Sequence, residues 1–211
     1  MINMTLSERV FEILRDRILT GVYKPGDRLL YASLSEEMDV SLSPVKEALL
    51  LLAQDGLVTM IPRRGAYVSQ VSIRDVVEYT WIRYSLECLA CELICAQDIN
   101  PSDFEQLLIY NERLGQYMEN GNINRSMQMD NEFHMHLVNM SGNQRLIETV
   151  KKLPLANLSI VAGSENYILN NRDTIYRTHA DIAAALKEND LERAKSHLKE
   201  NIILPLEEIL P

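Results

Sequence analysis

Two acids and two histidines fall within the seven residues DNEFHMH, which run from Asp130 to His136. Such a group suits three roles: a metal site, a catalytic acid–base cluster, or a polar helix surface that carries histidines incidentally. On an α-helix, residues four apart share a face, whereas residues two apart point in roughly opposite directions. If the segment is helical, Asp130 and His134 form a pair and His136 lies outside it.

One carboxylate oxygen and one imidazole nitrogen make half of a metal site, so the other ligands must come from other elements. The chain has four histidines, and the remaining two, His179 and His197, each lie in a segment that is predicted to be helical. Together with Asp130 and His134 they would offer one oxygen and three nitrogen ligands. That set suits a divalent transition metal, Zn²⁺, Ni²⁺, Mn²⁺ or Fe²⁺, and an imidazole-rich site distinguishes weakly among them.

The chain that must position these residues has 211 residues, of which 46% are hydrophobic and 24% are charged. These values are ordinary for a globular protein, and the length suffices for two modest domains. No apolar run is long enough to span a membrane, and the N-terminal segment mixes acids and arginines into its apolar pattern, unlike a secretory signal. We therefore expect a cytoplasmic protein without a membrane partner.

The net charge of −9 is unevenly distributed along the chain. Residues 1–72 hold eight Lys or Arg and nine Asp or Glu, so nearly all of the acidity belongs to the later part. A nearly neutral N-terminal part can still bind a polyanion if its basic side chains share one face. Composition therefore neither requires nor excludes nucleic acid as a partner.

The three cysteines, Cys88, Cys91 and Cys95, are an odd number, which argues against a disulfide framework. Their spacing resembles part of an iron–sulfur pattern, but the chain has no fourth cysteine. Helical spacing places the three on one face, where buried cysteines pack as small hydrophobic side chains. We favour that role over a cluster or a redox switch.

The first part of the chain has the element order of a winged helix-turn-helix. Apolar periodicity predicts helices over residues 5–20 and 31–38, and a third that begins with Ser43 as N-cap and Pro44 in the first helical position and ends at Gly56. The β-favouring runs LVTMI and AYVSQV follow, joined by the turn PRRG, and they predict a hairpin. The N-terminal end of the third helix could then enter a major groove.

From residue 73 onward the sequence shows helical patterns without a strand signal. Breaks at Asn100-Pro101, Gly121, Gly142 and Asn189 support four of the boundaries between six predicted helices, and short joints between the helices favour an antiparallel bundle. The predicted helices cover residues 73–96, 101–119, 123–140, 143–161, 168–188 and 190–209. The fold is thus expected to be mainly α, with a winged helix-turn-helix domain over residues 1–70, a linker at 71–72 and an all-helical domain over 73–211.

Both parts resemble the GntR family of bacterial transcription regulators. The N-terminal resemblance lies in LRDRILTGVYKPGDRL, LSEEMDVSLSPVKEALLLLAQDGLV and PRRGAYVSQVS. The C-terminal part is similar to the FCD effector domain of the same family, through IRYSLE, DNEFHMHLVNMSGN and THADIAAALKENDLERAKSHL. Its six predicted helices are more similar to the shorter, VanR-like branch than to the branch that responds to fatty acyl groups.

The resemblance also shows where this chain departs from its family. Leu42 and Ala32 stand where arginines occur in family members, and Lys46 replaces another arginine, which keeps the charge but loses the bidentate fork. Asp39 occupies the turn position of a glycine. The residues that remain as predicted DNA contacts are Ser41, Ser43, Lys46, Arg63, Arg64 and Gly65. We expect a different operator or weaker binding, rather than no binding.

The resemblance implies that the C-terminal domain holds a metal ion on Asp130, His134, His179 and His197 and senses a small organic acid. Arg83 would clamp the carboxylate of that acid, although it could equally pair with Glu87 one turn later, and Tyr84 would assist if it turns inward. The predicted protein is a transcriptional regulator, expected to act as a repressor, that binds a palindromic operator as a homodimer. Two alternatives remain open, a regulator with the metal itself as signal and a metal-dependent hydrolase.

Overall fold

The computed structural model describes residues 4–19, 21–70, 72–153 and 170–209. Its first part contains three helices and three short strands. In chain order these are α1 (Leu6–Leu19), β1 (Arg28–Leu29), α2 (Tyr31–Glu37), α3 (Leu42–Gln54), β2 (Val58–Ile61) and β3 (Gly65–Val68). The predicted three helices and hairpin are all present, and β1 is an addition.

β1 pairs with β3 and extends the predicted hairpin to a three-stranded antiparallel sheet in the order β1-β3-β2. Leu29 of β1 is buried with Ala66 and Val68 of β3, so one face of the sheet packs on the helices and the other faces solvent. A strand of two residues carries too little periodicity to be predicted from sequence. Its pairing with a segment almost forty residues later is what makes it a strand.

The helix-turn-helix joint is formed by α2, α3 and the residues between them. Asp39 lies in this turn with φ +50°, the left-handed backbone conformation that the family's glycine would also adopt. α3 begins at Leu42 with Ser41 at its N-cap position, two residues before the predicted cap. Pro44 is therefore the third helical residue, which is still within the first turn where its missing N–H is tolerated.

All described elements of the second part of the chain are helices. Its helices are α4 (Ile73–Cys95), α5 (Pro101–Glu119), α6 (Ile123–Met140), α7 (Gln144–Lys151), α8 (Arg172–Lys187), α9 (Leu191–Ile202) and α10 (Leu204–Ile209). A capping box between Ser72 and Asp75 fixes the start of α4 directly after the predicted linker. Asn100 caps α5, with Pro101 in the first helical position.

Two of the predicted helix boundaries differ from the structure. The predicted helix over residues 190–209 is two helices, since α9 ends at Ile202 and α10 begins at Leu204. Pro205 has no N–H to donate to the carbonyl one turn earlier, which accounts for the break. The predicted helix over 143–161 is described as far as Lys151, and residues 154–169 lie outside the described part, as does the predicted start at residue 168.

Each part has its own hydrophobic core. Val10, Leu14 and Ile18 of α1 pack with Leu49 and Leu52 of α3 beneath the sheet. In the second part, Phe133 and Leu137 of α6 pack with Ile182 of α8, Leu198 of α9 and the buried Cys91 of α4. The architecture is thus a winged helix-turn-helix followed by a helical bundle, as predicted. None of the described helices is long and apolar enough to cross a bilayer.

Candidate metal centre

Three of the four predicted metal ligands converge between α6 and α8. Asp130 and His134 lie one turn apart on α6, and His179 reaches them from α8. The His134 Nε2 and His179 Nε2 atoms are 3.1 Å apart, and Asp130 Oδ1 lies 3.4 Å from His179 Nε2 and 3.9 Å from His134 Nε2. The two histidines are buried, whereas the carboxylate of Asp130 is about one-third exposed.

These separations fit a metal ion. A triangle with sides of this length contains a point about 2.0 Å from all three of its corners, and Zn–N and Zn–O bonds are about 2.0–2.2 Å long. Three side chains that only hydrogen-bond to one another need not surround a point at metal–ligand distance from all three. Two imidazole nitrogens and one carboxylate oxygen also match the ligand preferences of divalent transition metals. The donor set therefore fits the ion that the resemblance implies.

Glu87 of α4 completes the surroundings of His134. This acid is fully buried, and its Oε2 atom lies 2.6 Å from His134 Nδ1. Burial disfavours the charged form of Glu87, but His134 and Arg83 outweigh it and hold the pKa of the carboxyl below its ordinary value. The anionic carboxylate accepts a hydrogen bond from Nδ1–H of His134. The proton is then on Nδ1, and the Nε2 lone pair of His134 is directed at Asp130 and His179. A carboxylate that orients a metal-binding imidazole in this way also makes it a better ligand.

Glu87 was not among the predicted site residues, although the sequence contains a signal for it. The buried residues of α4 include Val76, Thr80, Ala90 and Ile94. Position 87 falls on this stripe, and an acid on the buried face of an amphipathic helix requires a partner. Helical spacing alone predicts Glu87 only as an ion-pair partner of Arg83.

His179 is held neutral by its surroundings. Burial, above all, lowers the pKa of its imidazole to about 3, so its ring carries no charge at physiological pH and can act as a ligand. Its ring lies 4.2 Å from that of Phe133, measured between ring centres. Its Nδ1 atom is buried and has no hydrogen-bond partner among the described residues. The polar neighbours of the ring thus lie on its Nε2 side, where Asp130 and His134 meet it.

Arg83 connects Glu87 with the candidate metal centre. Its Nε atom donates to Glu87 Oε1 at 2.8 Å, so the predicted ion pair one turn apart is present. Its Nη2 atom lies 3.8 Å from Asp130 Oδ2, which is within reach of an ion pair but too long for a hydrogen bond. This Nη2 atom is buried and has no hydrogen-bond partner among the described residues. Arg83 therefore keeps a donor available beside Asp130.

Other predicted site residues lie elsewhere. The Nδ1 atom of His197 is 3.9 Å from Asp181 Oδ2 and 3.8 Å from Glu200 Oε2, outside the cluster. Asp181 follows His179 by two residues, so it lies on roughly the opposite side of α8. The structure thus brings three of the four predicted ligands together and places His197 outside that group.

Tyr84 and His136 also lie apart from the three ligands. Tyr84 packs against the core, where burial and the adjacent Cys88 thiol raise its pKa to about 12. Its ring is in edge contact with Trp81, and none of its described contacts is with Asp130, His134 or His179. His136 Nε2 lies 3.1 Å from the Asp103 carbonyl oxygen on α5. His136 therefore lies outside the group of ligands, as its position on the other side of the helix predicts.

The predicted DNA contacts lie at two places on the first part of the chain. Ser41, Ser43 and Lys46 are exposed at the start of α3, and Ser43 donates a hydrogen bond of 3.3 Å to Glu47. Arg63 and Arg64 are exposed in the loop between β2 and β3, which functions as the wing loop of this architecture. Arg63 has φ +63° and Gly65 has φ +102°, so the loop turns tightly.

Comparison with known protein families assigns both parts of the chain. The model of bacterial regulatory proteins of the gntR family matches residues 6–68, and the FCD domain model matches residues 78–203. An uncharacterized HTH-type transcriptional regulator of Bacillus subtilis (strain 168), YdhC, is 32% identical over 190 residues, which cover 88% of this chain and 82% of the relative. The HTH-type transcriptional repressor RspR of Escherichia coli (strain K12) is 28% identical over 201 residues, which cover 92% of this chain and 86% of the relative.

Solved structures show the same architecture. E. coli McbR/YncC superposes with a TM-score of 0.74 at 24% identity, over 98% of this chain and 100% of that one. A protein from Rhodococcus sp. RHA1 assigned as a GntR regulator superposes with a TM-score of 0.75 at 24% identity, over 96% of each chain. At this level of identity the likeness establishes a common fold.

Proposed function

Because the chain belongs to the GntR family of bacterial regulatory proteins and carries an FCD domain, we propose that a small carboxylic acid bound beside a metal ion controls its binding to an operator. The broader assignment, a DNA-binding transcriptional regulator rather than an enzyme, follows from the family match and from its relatives. The alternative of a metal-dependent hydrolase has no support among these relatives, which are regulators. Membership of the VanR-like branch and a cytoplasmic location remain predictions that accompany the proposal.

The meeting of Asp130, His134 and His179 is the observation that carries the proposal. These residues would hold a divalent transition metal through one oxygen and two nitrogen atoms, with Glu87 orienting His134. Three protein ligands leave coordination positions for water or for an oxygen of the acid. The metal would supply a positive charge and open coordination positions for that oxygen.

Arg83 supplies the second support for a carboxylic acid. Its buried Nη2 donor lacks a hydrogen-bond partner among the described residues and lies 3.8 Å from an oxygen of the ligand Asp130. A buried donor that is left unpaired is unfavourable, and a carboxylate that bridges Arg83 and the metal would satisfy it. An uncharged ligand would gain less from this pair of cations. We therefore retain Arg83 in the proposed effector site and leave Tyr84 out.

Control of DNA binding requires the acid to favour one arrangement of the protein over another. A homodimer would present two recognition helices to the two half-sites of a palindromic operator. If the acid binds one arrangement of the dimer more tightly, it shifts the population toward that arrangement by the difference in binding free energy. The residues around Ser72, between the two cores, are the place where the arrangement would change. We propose repression as the outcome, as in RspR, which is described as a repressor.

Replacement of His134 by alanine tests the site. We expect the His134→Ala variant to lose most of its bound metal, measured by elemental analysis of the purified protein, and to lose the response of DNA binding to a panel of mono- and dicarboxylic acids. Binding to a duplex selected by the wild-type protein from a random pool should persist, because the N-terminal core does not include His134.

His136→Ala and His197→Ala are matched controls, since each removes one histidine that lies outside the cluster. Both variants should keep the metal. Unchanged metal content in His134→Ala would contradict the assignment of the site. If metal alone changes operator binding in the absence of any organic acid, the ion itself is the signal, and the alternative of a metal-responsive regulator is correct.

A further inference from the structure

Arg28 lies beside the wing loop, although it was not among the predicted DNA contacts. β1 brings it there: in the antiparallel register Arg28 is directly opposite Tyr67 of β3. The neighbouring Leu29, Ala66 and Val68 are buried, so Arg28 and Tyr67 share the face of the sheet that is turned to solvent. β1 thereby adds a third arginine to the region of Arg63 and Arg64.

Tyr67 and the wing loop lie close to the Arg28 side chain. Its guanidinium carbon lies 6.0 Å from the centre of the Tyr67 ring. The Tyr67 hydroxyl lies 3.5 Å from the carbonyl oxygen of Arg64, so the ring leans toward the loop. A methyl group added to Gly65 would lie 4.0 Å from both Nε and Nη2 of Arg28. The guanidinium therefore lies at the base of the wing loop, against the backbone of the glycine that follows Arg64.

The three arginines of this region, Arg28, Arg63 and Arg64, have no carboxylate within ion-pair distance among the described residues. Some arginines elsewhere do have such partners: Arg17 pairs with Glu37 and Arg83 with Glu87. Three like charges on one small sheet and its loop repel one another in the free protein. With a polyanion bound beside them, the electrostatic energy of these three charges would become favourable.

The recognition helix gives a second reason to expect a cation from another element. Its first turn presents the exposed Leu42 and a single nearby cation, Lys46. The neighbouring Tyr67 ring accounts for the position of the Arg28 side chain. No carboxylate among the described residues lies within ion-pair distance of its N–H groups. A guanidinium fixed by an aromatic ring loses less side-chain entropy when it binds a phosphate.

We propose that Arg28 is a DNA-contacting residue that binds a backbone phosphate next to the wing, with Tyr67 as its positioning residue. This inference rests on the DNA-binding part of the proposed function and is independent of the metal centre. It assigns β1 a role in DNA binding as well as in the sheet. A phosphate contact fixes the position of the protein on the duplex and carries no sequence information.

Arg28→Gln tests the phosphate contact, with fluorescence anisotropy measured over a range of salt concentrations. The probes are the duplex selected from a random pool by the wild-type protein and a scrambled duplex of equal length. We expect affinity for both duplexes to fall by a similar factor, roughly fivefold to tenfold per bound copy at about 0.1 M salt, and the salt slope to fall by about one per copy. Arg113→Gln, which removes the same charge from an exposed position on α5, should change neither quantity.

The outcomes separate this inference from the proposed function. If Lys46→Gln weakens binding and Arg28→Gln leaves affinity and slope unchanged, Arg28 is not a contact. A loss confined to the selected duplex, with an unchanged salt slope, would also overturn a phosphate contact. If the wild-type protein binds neither duplex, the DNA-binding proposal fails together with this inference.

The role of Tyr67 has its own test. Tyr67→Leu should weaken binding in the same way as Arg28→Gln, and the double variant should be little weaker than either single variant, because both act on one contact. Additive losses would assign the effect of Tyr67 to the structure of the hairpin. Thermal unfolding of each variant, followed by circular dichroism, checks that the N-terminal core remains folded.

Discussion

Glu87 determines how His134 can act, although it is not one of the ligands. It is fully buried, accepts from His134 on one side and pairs with Arg83 on the other. Because both partners depend on its negative charge, a change at Glu87 affects the ligand His134 and the proposed carboxylate clamp Arg83 at once. The candidate site therefore extends one layer beyond the atoms that would touch the metal.

Glu87→Gln is expected to lower metal affinity by about 10- to 100-fold while the protein remains folded, because His134 would lose its anionic partner. Glu87→Ala should in addition destabilise the protein by about 3–5 kcal/mol, since it leaves the Arg83 charge buried without its partner. Competition titration with a chromogenic chelator measures the first effect, and denaturant unfolding measures the second.

The control for both variants is Glu92→Gln, which removes an exposed acid of the same helix that pairs with Lys195. It should cost at most about 1 kcal/mol and leave metal affinity unchanged. Equal metal affinity in Glu87→Gln and Glu92→Gln would show that Glu87 does not tune His134.

At this scale the sequence predicted part of the site. Helical phase was sufficient to join Asp130 to His134 and to exclude His136, because both statements concern one helix. The place of His197 depends on how α9 rotates against α8, and periodicity within one helix does not contain that rotation. Contact with Glu87 depends likewise on the packing of α4 against α6, which is a tertiary property.

Secondary-structure elements, too, can be predicted where their signal is local and are missed where they depend on a distant segment. The helices with clear caps and periodicity were predicted within a few residues, whereas β1 exists through pairing with β3. The break before Leu204 has a local cause in Pro205, but an apolar pattern that continues through Ile203 and Leu206 conceals it. Prediction was thus weakest where one segment depends on a partner or where two local signals disagree.

The turn between α2 and α3 offers a test at the scale of the element. Asp39 has φ +50°, a conformation that β-branched side chains adopt with strain. We expect Asp39→Val to destabilise the N-terminal core by about 1–3 kcal/mol, and Asp39→Gly to be neutral or slightly stabilising. Chemical denaturation monitored by circular dichroism measures both changes.

Asp98→Val is the matched control, because Asp98 is an exposed acid that is not among the residues with positive φ. This variant should change stability by less than about 0.5 kcal/mol. Similar losses in Asp39→Val and Asp98→Val would mean that the side chain, rather than the backbone conformation, causes the effect.

On the scale of the whole molecule, the two cores are largely independent. Among the described elements, those that pack extensively against each other belong to the same core. Examples are α1 with α3 and α5 with α6. The candidate metal centre belongs entirely to the second core. Binding of a metal should therefore stabilise one part of the molecule far more than the other.

Scanning calorimetry is expected to show two unfolding transitions, and removal of metal by a chelator should lower the temperature of one. The size of this shift corresponds to about 2.7 kcal/mol when the free metal is at 100 times its Kd. Leu49→Ala, which creates a cavity in the N-terminal core, should lower the temperature of the other transition. A single transition that responds equally to both changes would contradict the independence of the cores.

The long stretch of chain between the N-terminal core and the ligand His179 has a consequence for the order of events during synthesis. The N-terminal core is complete once Val68 has left the ribosome, whereas the third ligand emerges after more than a hundred further residues. At about 5–20 residues per second, that interval is roughly 5 to 20 s, and N-terminal domains generally fold first during synthesis. Each new chain would therefore pass through a period in which it has a folded DNA-binding part but no metal centre with which to respond.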